Sequence, residues 1–269
     1  MNSKGIPPKK SLGQNFLTDE SVCERIVDAA DVGPQDYVLE IGPGHGVLTR
    51  RLAARAGHVT AIELDERLYH KLRRELGQYE NLEIIQGDAL KFPYEGLPEK
   101  VKVVANLPYY ISTPIISRLI EARDKVSSMV LMLQREVAER IAAPPGGKDY
   151  GYLSVMVQLY TEAESLFVVP AEAFDPVPKV DSAVARLIVR GAPVAYCRNY
   201  ALFERVVSAS FSQRRKTLRN SLKGSNMFTD EGVARLADSG IDPMRRAETL
   251  SVTEFAALSE FLFEFRKVA

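Results

Sequence analysis

Short apolar runs alternate with amphipathic stretches along the first two thirds of the chain. Each run is bounded by glycine, proline or aspartate signals, which is typical of buried strands. The runs cover residues 37–41, 59–64, 82–86, 101–106 and 128–133. Between them apolar residues recur every three or four positions, most clearly over 47–56 and 66–76. This alternation predicts βαβ units, and therefore a mostly parallel sheet with helices on both faces.

The pattern changes in the last third of the chain. Two further β-like runs, 163–169 and 183–189, have no long helix between them and predict antiparallel strands at the sheet edge. After 191–193 the β pattern ends, and the amphipathic stretches that follow predict helices over 200–211, 215–222, 231–237 and 252–266. Ser251 or Thr253 is a candidate cap for the last helix, with Glu254 as its partner. We predict an α/β domain over 1–190 and a small all-helical domain over 191–269.

The composition excludes several classes of protein. With 269 residues, 46% of them hydrophobic, the chain can bury a large core, yet no apolar run reaches the roughly 20 residues of a membrane span. The basic N-terminus has no apolar stretch behind it, so it does not read as a secretory signal. Cys23 and Cys197 lie far apart, and His45, His58 and His70 show no metal-ligand spacing. We expect a cytoplasmic protein with no membrane segment, disulfide framework or metal site.

Formal net charge is zero, but the basic residues are not evenly spread. Residues 198–223 contain seven lysines and arginines and one glutamate, and the cluster Arg214-Arg215-Lys216 lies at their centre. A basic stripe on an otherwise balanced chain is a candidate phosphate-binding face. A solvated helix surface is the commoner explanation of such a run, so charge alone leaves both interpretations open.

A glycine loop follows the first predicted strand, and acids follow the next two. Gly42, Gly44 and Gly46 form a G-x-G-x-G spacing, which differs from the G-x-G-x-x-G of dinucleotide sites. Glu63 ends the second strand, where an acid can bind ribose hydroxyls, and Asp88 follows the third, where it can accept from an adenine amine. Each signal alone fits a plain turn or a helix cap. Their order indicates an adenosine-containing cofactor without separating NAD from S-adenosylmethionine.

The segment 106–110, Asn-Leu-Pro-Tyr-Tyr, selects the chemistry. It follows the fourth strand, on the same rim as the glycine loop, although Asn and Pro are also ordinary turn residues. The lone pair of the adenine amine is delocalised into the ring, so two acceptors binding its hydrogens would free that pair for attack. The Asn106 side-chain oxygen and the Leu107 carbonyl can serve, Pro108 keeps the turn rigid, and Tyr109 offers a stacking surface.

A second aromatic side chain fits the same chemistry. Phe174 begins a proline-stiffened loop over 174–182 and is a candidate for closing over the other face of the base, although an isolated phenylalanine more often belongs to the core. A base buried in a stacked helix is poorly accessible, so we expect the target in a loop or flipped out. A sulfonium donor already carries an activated methyl group, which leaves positioning and electrostatics to the protein.

Taken in order, these segments resemble the ribosomal RNA adenine dimethyltransferases. The resemblance runs through nearly the whole chain, helical tail included, and is carried by residues 14–17, 40–46, 87–90, 106–110, 174–182 and 211–222. It implies a Rossmann-like S-adenosylmethionine-dependent domain followed by a small helical domain. It also implies N6,N6-dimethylation, in successive transfers, of two adjacent adenines in the 3′-terminal hairpin loop of small-subunit rRNA, late in assembly of that subunit.

The resemblance further implies roles for individual residues. Asn15 and Leu17 would contact the cofactor from the N-terminal segment, Gly42 would border its methionine moiety, and Asn106 would join the cofactor site to the target amine. The residues implied for cofactor binding are Gln14, Asn15, Leu17, Gly42, Gly44, Glu63, Leu64, Asp88, Ala89 and Asn106. Those implied for the target site are Asn106, Leu107, Pro108, Tyr109 and Phe174.

The resemblance also gives the basic residues a partner. Arg214, Arg215 and Lys216 become candidate contacts to the rRNA backbone, together with Lys179 and, less strongly, Lys9 and Lys10. We expect an immature small subunit as the substrate, no obligate protein partner, and a monomer. The alternatives are methylation of a large-subunit rRNA adenine, NAD-dependent oxidoreduction, and RNA binding without catalysis.

Overall fold

The computed structural model describes residues 6–9 and 12–266. The chain forms two compact units, one of residues Met1–Glu139 with Glu162–Val189, the other of Arg140–Thr161 with Arg190–Ala269. The strands are β1 (Phe16–Leu17), β2 (Tyr37–Ile41), β3 (His58–Glu63), β4 (Leu82–Gln86), β5 (Val101–Asn106), β6 (Val126–Gln134), β7 (Thr161–Val169), β8 (Phe174–Asp175) and β9 (Ser182–Val189).

Helices form over the predicted amphipathic stretches at 47–56, 66–76, 200–211 and 252–266, and further helices form where none was predicted from the sequence. The helices are α1 (Glu20–Ala29), α2 (Val47–Arg55), α3 (Glu66–Leu76), α4 (Ser112–Glu121), α5 (Arg135–Ala142), α6 (Tyr152–Gln158), α7 (Tyr200–Phe211), α8 (Leu218–Gly224), α9 (Asp230–Ala234) and α10 (Val252–Phe263). Among the described residues, no helix has both the length and the apolar character needed to cross a bilayer.

A seven-stranded sheet forms the first unit, in the order β4-β3-β2-β5-β6-β9-β7. Strands β2 to β6 pair in parallel, which confirms the predicted α/β class. Both late strands were predicted at the sheet edge; β7 lies there, whereas β9 lies inside the sheet, antiparallel to β6 and between it and β7. Because β3 lies on one side of β2 and β5 on the other, the strand order reverses between β2 and β5. Open α/β sheets bind their ligands in the crevice at such a point.

A separate two-stranded ribbon joins distant parts of the first unit. β1 pairs antiparallel with β8, with Leu17 opposite Phe174. Next to this pair the backbone N–H and side-chain hydroxyl of Thr18 both donate to the Ala173 carbonyl, at 2.9 and 3.0 Å. The ribbon therefore fixes the N-terminal segment against the chain that leads into β9.

Helix α1 completes the core beneath this ribbon. The Asp19 side chain caps it by accepting from the backbone N–H groups of Ser21 and Val22. Its apolar side buries Cys23 and Ile26 completely, in one cluster with Leu17 and Phe174. Burial raises the pKa of the Cys23 thiol to about 11, so this cysteine stays protonated and unreactive near neutral pH.

The second unit is built from helices α6 to α10 around its own core. Phe203, Leu222, Phe255 and Leu262 are fully buried there. The sequence placed the boundary near residue 191, whereas the structure also places residues 140–161 in this unit, because Tyr150, Val155 and Leu159 belong to the same core. Ser251 caps α10 in a reciprocal box with Glu254, as the sequence predicted.

Candidate active site

A cavity opens in the first unit where the carboxyl ends of β2 to β5 meet the ribbon. Its empty volume, open solvent included, is about 1030 Å³, which suits a nucleoside-sized ligand. All of the residues predicted for the cofactor and the target line it: Gln14, Asn15, Leu17, Gly42, Gly44, Glu63, Leu64, Asp88, Ala89, Asn106, Leu107, Pro108, Tyr109 and Phe174. The fold thus brings together segments that are about 160 positions apart in sequence.

The glycine loop between β2 and α2 uses conformations that favour glycine. Gly42 and Gly44 have φ values of +70° and +59°, in the left-handed region that side chains with a Cβ rarely adopt. A Cβ on Gly44 would lie 3.1 Å from the Phe16 ring, so the loop and the N-terminal segment are in close contact. The loop therefore presents bare backbone to the cavity.

Glu63 ends β3 and holds this loop in place. Its Oε2 accepts from the Gly44 N–H at 3.1 Å, and its Oε1 accepts from the Asp65 N–H at 2.7 Å. The side chain is buried, and burial raises its pKa above the usual range. Each carboxylate oxygen has a second lone pair, so a ribose hydroxyl can donate to Glu63 without displacing these bonds.

Glu40 is a candidate that our sequence-based site set omitted. It is 1% exposed, lines the cavity, and its Oε2 has no hydrogen-bond partner among the described residues. Burial raises the pKa of this carboxyl to about 8; the nearby Thr49 hydroxyl offsets part of that rise and the charge of Glu63 adds to it. Glu40 lies near the end of β2, just before the glycine loop, and a position at the end of a strand is the signal that selected Glu63. The same signal in the sequence therefore also indicated Glu40.

The orphaned oxygen of Glu40 allows a test of the cofactor. A buried acceptor without a partner is expensive unless a ligand supplies a donor or a positive charge. S-adenosylmethionine carries an ammonium and a sulfonium group, and its adenosine matches the acids at Glu63 and Asp88. The residues that line the cavity therefore fit this cofactor.

Asp88 has a structural role as well as its place in the cavity. Its Oδ1 accepts from the Leu90 N–H at 2.9 Å and caps the short 3₁₀ turn Ala89–Lys91. This is the helix-cap role that the sequence also allowed. The cap uses one carboxylate oxygen, so the other can accept from a bound adenine amine.

Asn106 ends β5 at the junction of the cavity and the N-terminal segment. Its Nδ2 donates to the Asn15 carbonyl at 3.4 Å, which leaves the side-chain oxygen as the acceptor for a ligand. The Leu107 N–H donates to the Met132 carbonyl at 3.1 Å and fixes the turn against β6. Pro108 follows with a φ of −56°, so the backbone at the predicted target site is rigid.

The two aromatic residues predicted to hold the base lie in the cavity wall. The Tyr109 hydroxyl forms a 2.8 Å hydrogen bond with the hydroxyl of Ser182, and burial raises the tyrosine pKa. Ser182 begins β9 and is fully buried. Phe174 is 2% exposed and belongs both to the core cluster under α1 and to the wall. Their contact with a base stays a prediction.

The described basic residues that were predicted to contact RNA are not among those that line this cavity. Arg214, Arg215 and Lys216 are exposed in the turn between α7 and α8, where the Arg214 guanidinium donates to the Lys148 carbonyl. Lys179 is exposed in the loop between β8 and β9. Lys9 pairs with Asp65 at 3.1 Å, and Lys10 lies outside the described residues.

Comparison with known proteins gives a consistent family. The model of the ribosomal RNA adenine dimethylase family matches residues 7–264. Ribosomal RNA small subunit methyltransferase A of Moorella thermoacetica is 47% identical over 97% of this chain and 95% of its own length. The protein of the same name from Bacillus cytotoxicus is 49% identical over 96% of this chain and 92% of its own length.

Solved structures agree with this assignment. A dimethyladenosine transferase from Plasmodium falciparum superposes with a TM-score of 0.80 at 28% identity, covering 93% of this chain and 99% of that one. The 23S rRNA methyltransferase ErmE superposes with a TM-score of 0.71 at 32% identity, covering 93% of this chain and 100% of its own.

Proposed function

The chain belongs to the ribosomal RNA adenine dimethylase family and is a Rossmann-like enzyme that dimethylates rRNA adenines with S-adenosylmethionine; we propose that its target is the pair of adjacent adenines in the 3′-terminal hairpin loop of small-subunit rRNA. Two of its relatives, 47% and 49% identical, are named for the small subunit, whereas the 23S rRNA enzyme is 32% identical. That difference favours small-subunit rRNA over the large-subunit alternative.

The observation that carries the proposal is that Asn106, at the end of β5, lines one cavity together with Glu63 and Tyr109. Its Nδ2 already binds the N-terminal segment, so its Oδ1 accepts one hydrogen of the target amine while the Leu107 carbonyl accepts the other. These two bonds draw the amine out of conjugation and direct its lone pair into the cavity. When bound, S-adenosylmethionine supplies the activated methyl group on its sulfonium.

The remaining residues of the site bind the cofactor and the target base and exclude water from the cavity. Glu63 holds the ribose, Asp88 reads the cofactor adenine, and the bare backbone at Gly42 and Gly44 lets the methionine moiety approach closely. Tyr109 and Phe174 enclose the target base. No general base is needed to start the transfer, because the acceptors act by hydrogen bonding and the geometry provides the rate.

The basic turn in the second unit is proposed as the rRNA contact. Arg215 and Lys216 are exposed and offer two positive charges to phosphates, and Lys179 adds a third in the first unit. We assign an immature small subunit as the substrate, because the loop that carries the target base must be accessible. The corresponding setting is cytoplasmic. We also propose that the enzyme acts as a monomer.

Replacing the side chain at the centre of this site tests the proposal. We expect Asn106→Ala to abolish methyl transfer to immature small subunits while RNA affinity and the unfolding midpoint stay near wild type. Mass-spectrometric mapping of the methylated nucleotides reports the target. Wild-type turnover by the variant would refute the role of Asn106, and methylation of large-subunit RNA alone would overturn the substrate.

A further inference from the structure

Asp65 is a fully buried carboxylate outside the set of residues assigned above. Its side chain is 0% exposed, yet burial does not neutralise it. The Arg67 guanidinium donates to both carboxylate oxygens of Asp65, at 3.1 and 2.7 Å. The pKa of Asp65 lies well below the usual range, because the hydrogen bonds from Arg67, and after them the one from Lys9, outweigh the effect of burial. Asp65 also caps α3 through the Arg67 N–H. A charge buried in this way needs several donors to persist.

Two of those donors come from the N-terminal segment. The Lys9 ammonium lies 3.1 Å from Asp65 Oδ1, and Gln14 Nε2 lies 3.3 Å from Asp65 Oδ2. The two also bind each other, since the Lys9 N–H donates to Gln14 Oε1 at 2.7 Å. Lys9 and Gln14 therefore hold the start of the segment to Asp65, and we call Asp65, Lys9 and Gln14 the Asp65 clasp.

The segment that the clasp holds is a wall of the cofactor cavity. Residues 12–17 all line the cavity, and Phe16 packs on the glycine loop, with its ring centroid 4.2 Å from that of His45. At its far end the segment is fixed by the pairing of β1 with β8. The clasp attaches the near end, together with the bond from Arg67 to the Pro7 carbonyl, and the Asn106 amide holds Asn15 between the two ends. Losing a contact of the clasp therefore loosens residues 12–14 while β1 stays in place.

The clasp is joined directly to the proposed ribose site. The Asp65 backbone N–H donates to Glu63 Oε1 at 2.7 Å, and the other oxygen of Glu63 holds the glycine loop. One residue thus links the carboxylate that binds the ribose to the segment that covers it. A ligand held by Glu63 would therefore lie beside a wall whose near end is held by Asp65.

We propose that Asp65 is a positioning residue which, through Lys9 and Gln14, keeps the N-terminal wall closed over the bound cofactor and sets its rate of release. This inference rests on the proposed cofactor site. It also assigns Lys9 differently from an RNA contact, because the positive charge of Lys9 is already paired with Asp65. The bonds of the clasp join Lys9, Gln14 and Asp65 rather than the groups assigned to the target base, so the clasp acts on release of the cofactor.

Replacing the Lys9 side chain perturbs the Asp65 clasp without leaving a buried charge unpaired. Lys9 is 43% exposed, and in its absence Asp65 keeps both bonds to Arg67 and its cap on α3, so no orphaned buried charge results. We expect Lys9→Met to weaken S-adenosylmethionine binding about tenfold, through faster dissociation. Once the cofactor is saturating, kcat stays within about twofold of wild type. Lys9→Arg restores the charge and most of the affinity.

A matched control separates this effect from the general loss of an ion pair. Lys102 pairs with Asp36 at 2.9 Å in the same unit, is 20% exposed, and does not line the cavity. Lys102→Met removes an ion pair of the same type, together with a bond to the Asp31 carbonyl, so it lowers the unfolding midpoint without changing cofactor affinity. Asp65→Asn keeps a capping side chain but loses the charge, and we expect it to weaken cofactor binding as Lys9→Met does.

The experiment is calorimetric titration and stopped-flow dissociation of S-adenosylmethionine from the full chain. Faster release from Lys9→Met and Asp65→Asn, with Lys102→Met unchanged, supports the clasp. Cofactor release at the wild-type rate from both clasp variants overturns the clasp but leaves the proposed cofactor site standing. A higher KM for RNA with unchanged cofactor affinity also overturns it, and would make Lys9 an RNA contact. If the wild-type chain binds no S-adenosylmethionine, the proposed function itself fails.

Discussion

Replacing Glu40 with glutamine should change how the stability of the protein depends on pH. The Glu40 carboxyl titrates near 4.5 when unfolded, and burial raises its pKa to about 8 in the folded protein. Because the folded pKa is the higher one, the stabilising effect of the neutral acid is complete below pH 4.5 and is lost as pH rises through 8. At about 1.4 kcal/mol per pKa unit, ionisation of Glu40 lowers the free energy of unfolding by about 5 kcal/mol across that range.

Glutamine keeps the shape of the neutral acid but cannot ionise. We therefore expect Glu40→Gln to gain stability relative to the wild type as pH rises, with the two proteins most alike near pH 5 and furthest apart above pH 8. Glu63 titrates in both proteins, so its contribution largely cancels from the difference. Urea unfolding of the ligand-free proteins at pH 5.5, 7 and 8.5 measures this difference directly. Glu95→Gln, at an exposed carboxyl, is the control and should show no such trend.

A cation bound beside Glu40 favours the ionised form of its carboxyl over the neutral form. The ammonium or sulfonium of S-adenosylmethionine stabilises the carboxylate, so binding near pH 7 should release a proton from the wild type and none from Glu40→Gln. Calorimetry in buffers of different ionisation enthalpy counts that proton. A constant difference in stability from pH 5.5 to 8.5, or equal proton release by the two proteins, would show that Glu40 is already ionised in the folded protein.

Three further changes test other parts of the structure. Gly44→Ala forces a Cβ into left-handed backbone beside Phe16, so we expect a loss of about 1–2 kcal/mol in the free energy of unfolding and weaker cofactor binding by calorimetry; wild-type values would show that the loop tolerates a side chain. Tyr109→Phe leaves the buried Ser182 hydroxyl unpaired, which should lower kcat/KM for RNA roughly fivefold at unchanged cofactor affinity; an equal loss of cofactor affinity would contradict a role on the target side. Reversing the charges at Arg215 and Lys216 should weaken binding to immature small subunits and reduce its salt dependence, measured by filter binding, whereas unchanged RNA affinity would make the basic turn a solvated surface.

Long amphipathic elements followed directly from the sequence. The prediction over 66–76 matches α3, and that over 200–211 matches α7, because each has a continuous apolar stripe and a polar cap, Asp65 and Asn199. The helix predicted from residue 215 begins instead at Leu218, where the Thr217 hydroxyl accepts from the Asn220 N–H. A cap inside an apparently helical stretch moved the basic cluster from a helix face into a turn.

The cavity was only partly predictable. Residues that follow predicted strands meet at one edge of a parallel sheet, which is why Glu63, Asp88 and Asn106 could be selected from their positions alone. β1 and β8 are two residues long, too short for any periodicity, so the pairing of Leu17 with Phe174 was invisible. The contact between Lys9 and Asp65 spans 56 positions, so no local pattern indicates it.

The ribbon of β1 and β8 has a consequence for synthesis of the protein. A nascent chain carries the glycine loop, Glu63 and Asp88 long before residues 174–175 have emerged to pair with residues 16–17. Until then residues 16–17 have no partner strand, and the N-terminal segment depends on its contacts with Asp65 and Asn106. Truncated products that end before residue 174 therefore retain the glycine loop, Glu63 and Asp88 but lack the strand that fixes one end of this segment.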